Sequence, residues 1–465
     1  MNMSHYRPRI RRLANPVLLS ACFATQAHAH ASEQGFVLLL PTDAYVAAGV
    51  ASVALTVLLL TVLPRQVLAK LFRPLPLWRR RGLAAARTVT CSLSSLLLLT
   101  LIWIGLTGPR DPLTNALPLT IWTVWWVMLV SLQGLFGDLW RWIDPWRAPV
   151  AATQGLTGSG PLLRLPATLG HVPAILTFLG FAAILLADPA PSDPARLARY
   201  VGLYWLFTYA ALLVFGPRWR WRGEGIAMLM RNYAGVGLIG RIGHRAGLGL
   251  TGWQALRHRT PAPGIAIFML ILLGCGSFDG LNETFWWLAL LGINPLEFPG
   301  RTAVIAPNLV GLVLANSALI AAYGAAIWLG LRLARADMSW LRAFCLFAPT
   351  ILPIALGYHI GHYLTAFLVD GQYALAALND PLARGDSLLG LETFYVTTGF
   401  FNTQDSVRTI WLSQAGAVVI GHVLAIMMAH FLALRQFGSN RNATLSQLPL
   451  AVFMVLYTLF GLWLL

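Results

Sequence analysis

The sequence predicts an all-α membrane protein: a polytopic membrane helix bundle of about 10 transmembrane helices that follows a cleavable signal peptide. Three observations carry this expectation. The chain of 465 residues is 57% hydrophobic and only 11% charged, with a mean hydropathy of +0.67, whereas soluble domains devote about a quarter of their residues to charge. Apolar runs recur along its whole length, and a helix rising about 1.5 Å per residue needs about 20 of them to cross the hydrocarbon. Finally, the basic residues that bring the net charge to +16 lie between those runs. That placement suits topogenic arginines and argues against a nucleic-acid partner; Lys70 is the single lysine.

At the N-terminus, Arg7, Arg9, Arg11 and Arg12 precede a short apolar run, 13–25, and then Ala27-His28-Ala29. This is a signal-peptide pattern covering 1–29, with cleavage after Ala29 and an exported start at His30. A competing reading takes Leu19-Ser20-Ala21-Cys22 as a lipobox. Cleavage after Ala29 removes His28 and leaves His30 first, and an N-terminal histidine could bind copper through its amine and ring together.

Residues 30–465 then form one integral membrane domain. Its spans fall at about 45–63, 88–106, 116–136, 171–187, 200–215, 265–291, 308–331, 340–369, 409–434 and 448–465. Pro349 and Pro353 predict a kink or break in the eighth. With an exported start, alternate connections carry the great majority of the 33 lysines and arginines. This places those connections in the cytoplasm and both mature termini in the periplasm of a bacterial inner membrane.

Two connections exceed a turn. The basic cytoplasmic loop 216–264 contains PRWRWRGEG and reads as an amphipathic segment on anionic lipid, with Trp219 and Trp221 at the headgroups. The periplasmic loop 371–408 is acidic, with Asp380, Asp386, Glu392 and Asp405. No strand, repeat or soluble domain is expected. The glycines of 155–162 follow no strand and lack the lysine of a phosphate loop. Cys91, Cys275 and Cys345 lie in separate apolar runs without CxxC spacing.

The chemistry lies in the spans. In YHIGHYLTAF, His359 and His362 sit three residues apart, roughly 16 and 12 Å below the expected outer helix end, and His422 lies roughly 20 Å down the next span. Asp279 and Glu283, four residues apart on one helical face, fall roughly 18 and 12 Å deep in the sixth span. Ionisable side chains at such depth are costly and mark sites. Two or more of His359, His362 and His422 can share a metal, a haem or a catalytic proton; His430 lies deeper. Imidazole with carboxylate suits a divalent transition metal, with a single haem as the alternative.

Four strings, ASEQGFVLLLPT, GDLWRWIDPWRAP, ETFWWLALLGINPLEFPGR and GYHIGHYLTAFLVDGQYALAALNDPL, resemble the fenitrothion hydrolase family of bacterial polytopic membrane proteins. The resemblance spans most of the mature chain. It implies hydrolysis of an organophosphorus triester at the P–O aryl bond, together with a second, different membrane subunit. Soluble phosphotriesterases are TIM barrels with a metal-bridging lysine, so any shared chemistry is convergent.

A metal on His359, His362 and His422, with Glu283 or Asp279 as ligand or general base, would then supply hydroxide to phosphorus. Phe285, Trp286 and Trp287 would receive the small apolar substrate. The alternatives are a non-hydrolytic membrane metal or haem protein for copper handling or electron transfer, and a transporter. The transporter would have helices broken at Pro349 and Pro353 and at Gly274, Gly276 and Gly280.

Overall fold

The structure is a computed structural model that describes residues 40–79, 82–295, 300–392, 395–437 and 439–465. The expected signal peptide, Cys22, His28 and His30 lie outside the described residues. Hydrocarbon offers no partner to a bare N–H or C=O, so apolar runs of this length satisfy their backbones internally as helices. Among the described residues nine helices are long and apolar enough to cross a membrane.

In chain order the elements used below are α1 (Thr42–Val62), β1 (Leu75–Arg79), α2 (Ala84–Thr107), α3 (Ala116–Phe136), α4 (Val172–Ala187) and α5 (Pro194–Phe215). There follow α6 (Pro217–Arg222), α7 (Gly225–Ala234), β2 (Ile239–Ile242), β3 (Arg245–Leu248), α8 (Pro263–Asn282), α9 (Phe285–Leu290) and α10 (Ile305–Leu333). The chain ends with α11 (Trp340–Phe347), α12 (Leu352–Asn379), α13 (Gln404–Phe437) and α14 (Asn440–Trp463). The centre of the bundle is α8 with α11, α12 and α13, the most buried of the long apolar helices, and α1 lies at its edge.

At 16 residues, about 24 Å of rise, α4 is shorter than the nine. Its ends nevertheless bond to opposite faces. Before its start, Arg222 donates to the Gly170 carbonyl at 3.0 Å. At its finish, Arg301 donates to the Leu185 carbonyl at 2.6 Å and Asn308 to the Leu186 carbonyl at 3.0 Å. Counting α4, ten passes leave the start of α1 and the end of α14 on one face, called here the C-terminal face; the other is the arginine-rich face.

Several elements differ from the sequence reading. The described residues include a three-stranded antiparallel sheet in the order β1-β3-β2, where no strand was expected. Leu75 pairs with Leu248 and Arg79 with Arg245, while Ile239 pairs with Leu248 and Ile242 with Arg245. The β2–β3 turn is Gly243-His244, with Gly243 at φ +56°, a tight hairpin that suits glycine. Only β1, far away in sequence, completes the sheet, so local periodicity could not announce it. The pairing also places the first connection and 216–264 on the same face.

That second connection is no surface helix. Trp219 is buried, only Trp221 is exposed, and α7 is buried along almost its whole length. Glu224 caps α7, accepting from the Ile226 and Ala227 N–H groups, and also accepts from the Tyr204 hydroxyl. Burial raises the Glu224 carboxyl above its ordinary value, and burial lowers the Arg231 guanidinium to about 10.

The expected break in the eighth span is present: a 3-10 turn at Ala348–Ile351 separates α11 from α12, with Pro349 and Pro353 at the junction. By contrast α8 runs unbroken through Gly274, Gly276 and Gly280. Those glycines admit neighbours instead, Asn316 at Gly274 and the Tyr358 ring at Gly276 and Gly280. The sixth apolar run ends as helix at Asn282, because Thr284 caps a separate helix, α9, by accepting from the Trp287 N–H at 3.1 Å.

Candidate functional site

A chamber of about 280 Å³ opens at the C-terminal face, bounded there by Pro191, Arg301, Asp370 and Leu465. Its floor brings together α8 and α12. The Nε2 of His362 lies 3.3 Å from Oδ2 of Asp279, and the Tyr363 hydroxyl donates to the same oxygen. The His362 and Asp279 side chains are 6% and 9% exposed, so the pair is held out of bulk solvent. Glu283, one turn beyond Asp279, is on the same wall with Asn282.

Local structure explains why the acid needs these donors. Asp279 lies three residues from the end of α8, where the helix dipole disfavours negative charge. Asn282 closes that end by donating to the carbonyls of Phe278 at 2.9 Å and Asp279 at 2.7 Å. From α12, His362 and Tyr363 supply donors to the carboxylate. Their rings meet edge to face at 4.7 Å, and Tyr358 stacks on His362 at 5.5 Å. The opposite wall is Trp122 and Trp126 of α3, which winds as a π-helix over Leu119–Leu129.

Glycines set the approach of α12 to α13. A Cβ at Gly421 would come within 2.5 Å of the Pro353 carbonyl, and one at Gly361 within 2.9 Å of the Gln414 carbonyl. Gly357 and Gly361 form a small-xxx-small step around His359. Gln414 locks the step by donating to the Gly361 carbonyl at 2.9 Å and Thr365 Oγ1 at 3.0 Å.

The sequence-predicted residues therefore divide. Asp279, Glu283 and His362 share the chamber. His359 faces α3, its Nε2 3.0 Å from the Trp126 carbonyl and its ring edge-on to Trp126 at 5.0 Å. His422 turns back on its own helix, its Nδ1 2.9 Å from the Val418 carbonyl, with Tyr457 of α14 as an aromatic neighbour at 6.4 Å. The expected ligand set of His359, His362 and His422 is thus not assembled. Among the described residues no group of three or more histidine, cysteine, aspartate or glutamate side chains could hold a metal ion.

The physical reason is that α12 and α13 meet backbone to backbone at Gly357, Gly361 and Gly421, which leaves no room there for an imidazole between them. The three rings project toward three different neighbours. The depths differ as well: α12 continues to Asn379 and puts His362 roughly 26 Å from its helix end, while Asp279 is roughly 5 Å from its own.

The expected aromatic receptor is elsewhere as well. Trp287 packs on Phe278 at 5.4 Å and donates Nε1–H to Asn308 at 3.0 Å, and Trp286 is exposed. Trp122, Trp126 and Phe367 take that place in the chamber.

Sequence reasoning also passed over Tyr363, Asp370, Gln414 and Arg301. Tyr363 carries the one available signal, a polar ring adjoining His362. At the rim, Arg301 is anchored by the Leu185 and Asp188 carbonyls. Asp188 is buried, which raises its carboxyl, yet hydrogen bonds from Arg196, the Ala190 N–H and Tyr200 hold it below its ordinary value. Comparison with models of known families, with curated proteins and with solved structures gives no match to this chain.

Proposed function

We propose that the protein is a membrane-bound hydrolase of small apolar esters, with organophosphorus triesters, the class implied by the resemblance, as the substrates to test first. The observation that supports this most is the convergence of His362 and Tyr363 on one oxygen of Asp279 in the wall of a polar chamber. A buried carboxylate that orients an imidazole is an acid–base unit.

In the proposed reaction water attacks phosphorus and its proton passes to the Asp279–His362 pair. A P–OH bond forms and the P–O aryl bond breaks. The aryloxide leaves with the bonding electrons and recovers the proton from the pair. Arg301 at the rim offsets charge that builds on the phosphoryl oxygen, Glu283 adds a second acceptor, and the Trp122 and Trp126 wall suits the aryl group.

No step is routed through a metal, because the histidine set it needs is not assembled. A bacterial inner-membrane location with the chamber open to the periplasm is supported by the arginines of the opposite face. The second membrane subunit implied by the resemblance remains part of the proposal, and activity of the purified chain against the same chain in native membranes tests for it.

The direct test is release of nitrophenolate from a nitroaryl dialkyl phosphotriester by membranes containing the protein. Wild type and His422→Ala should turn over, while Asp279→Asn and His362→Gln should fall by about 10²–10⁴-fold with insertion intact. An inactive wild type in native membranes rejects the hydrolase reading.

One observation favours a transporter instead. A second small cavity, about 30 Å³, continues from Asp279 and His362 past His359 to Tyr233 of α7, toward the arginine-rich face. Solute uptake into vesicles without product formation would select that reading.

A further inference from the structure

On the other side of Trp122, which lines both, a cleft of about 1050 Å³ runs between α2, α3, α4 and α5. Leu93 and Leu97 of α2, Trp125 of α3, Phe181 of α4 and Leu203 of α5 line it. Leu93, Leu97 and Leu203 are all more than half exposed. Every one of these helices is apolar along its membrane-crossing length, so the cleft opens sideways into hydrocarbon.

It closes toward the C-terminal face, where Gly105 of α2 lets α5 approach. A Cβ there would lie 3.0 Å from the Pro194 carbonyl and from Ala198 Cβ. At the other end it is bounded by Thr90, Ile143 and Trp146.

Those three boundary residues adjoin a cluster of arginines. Arg87 lies one turn before Thr90, Arg147 follows Trp146, and Arg220 pairs with Asp144, next to Ile143, at 3.1 Å. Arg141 lies in the same short helix as Ile143. Against these four guanidiniums stand Asp144, Asp138, which accepts from the Arg141 backbone N–H, and Glu224, which accepts from the cleft-lining Tyr204.

The excess positive charge is felt locally: burial, then Arg87 and Arg220, lower the Arg147 guanidinium below its ordinary value. Among the described residues the Nε atoms of Arg87 and Arg141 are buried without a hydrogen-bond partner. An apolar cleft in the bilayer that ends on surplus guanidinium donors at one interface is complementary to one class of molecule.

We infer that this cleft binds one anionic membrane lipid, with its phosphate between Arg87, Arg147 and Arg220 and an acyl chain along Leu93, Leu97 and Leu203. The site is independent of the hydrolase reading, since none of these residues lines the chamber.

The test is lipid retention, by mass spectrometry of protein purified from micelles holding equal phosphatidylglycerol and phosphatidylcholine. Wild type should retain about one phosphatidylglycerol per chain in roughly tenfold preference to phosphatidylcholine. The Arg87→Ala/Arg147→Ala pair, and the milder Arg147→Gln should the pair fail to fold, should lose most of that preference. Leu97→Trp, which fills the cleft, should lower retention of both lipids. Arg245→Ala, on β3 away from the cleft, should change nothing.

Equal retention of the two lipids by wild type overturns the inference. So does unchanged phosphatidylglycerol in the arginine variants, and so does an equal loss in Arg245→Ala, which would mean diffuse surface attraction.

Discussion

Replacing Gly421 by alanine tests the seam that positions the site. An added Cβ would lie 2.5 Å from the Pro353 carbonyl oxygen, 3.2 Å from its carbon and 3.3 Å from the Ile354 Cα. Real Cβ atoms essentially never approach within 3.0 Å, and every neighbour is backbone, so no rotamer change relieves the clash. The helices α12 and α13 must separate by at least about 0.5 Å, and such overpacking costs about 1–3 kcal/mol.

Gly416→Ala, in the same helix with nothing within 4 Å, is the matched control. Both changes gain the same helix propensity, about 1 kcal/mol, so the difference between them is the steric cost alone. Because α12 carries His362 and Tyr363, the displacement also stretches a His362–Asp279 contact already at 3.3 Å. Turnover should then fall about 10–100-fold.

Thermal unfolding in detergent and nitrophenolate release are the two measurements. Gly421→Ala should unfold several degrees below Gly416→Ala. Equal melting temperatures would refute the account of the seam, and a lower melting temperature with full turnover would refute the coupling of seam to site.

Further outcomes follow from the same geometry. His359→Ala leaves the Trp126 carbonyl without its 3.0 Å partner and should cost about 1–3 kcal/mol of stability, while reducing turnover far less than His362→Gln; equal losses of turnover would restore His359 to the chemistry. Asp188 is held below its ordinary value of 3.8, so its stabilisation is complete above that pH and is lost as pH falls through the lower folded value. Melting temperatures of Asp188→Asn and wild type should therefore differ at neutral pH and converge in acid; a gap that widens in acid has the wrong sign. Cys91, Cys275 and Cys345 are all buried and should resist a membrane-permeant maleimide until the protein is denatured, a result that labelling of any of them in intact membranes would contradict.

Length and polarity along the chain were enough to identify a membrane helix bundle, because transfer of a run of residues into hydrocarbon is a sum over near neighbours. That is why even α4, at 16 residues, was readable, and why Pro349 and Pro353 announced the break between α11 and α12. Asp279, Glu283 and His362 were legible for a related reason: a titratable group in a membrane span stands out by its cost alone.

Which of these groups meet was not legible. Helical spacing fixes the angle between His359 and His362 but not the helix each one faces, and the glycine seam of Gly357, Gly361 and Gly421 turned the three histidines apart. Likewise β1 found β3 across more than a hundred residues, and Trp219 was drawn into the core from a stretch whose composition reads as surface. The sequence by itself determined how much of the chain is apolar enough to enter the membrane and which titratable groups lie in or next to those runs. Only the tertiary structure decided the partners, since close packing between distant segments depends on backbone approach that no local pattern encodes.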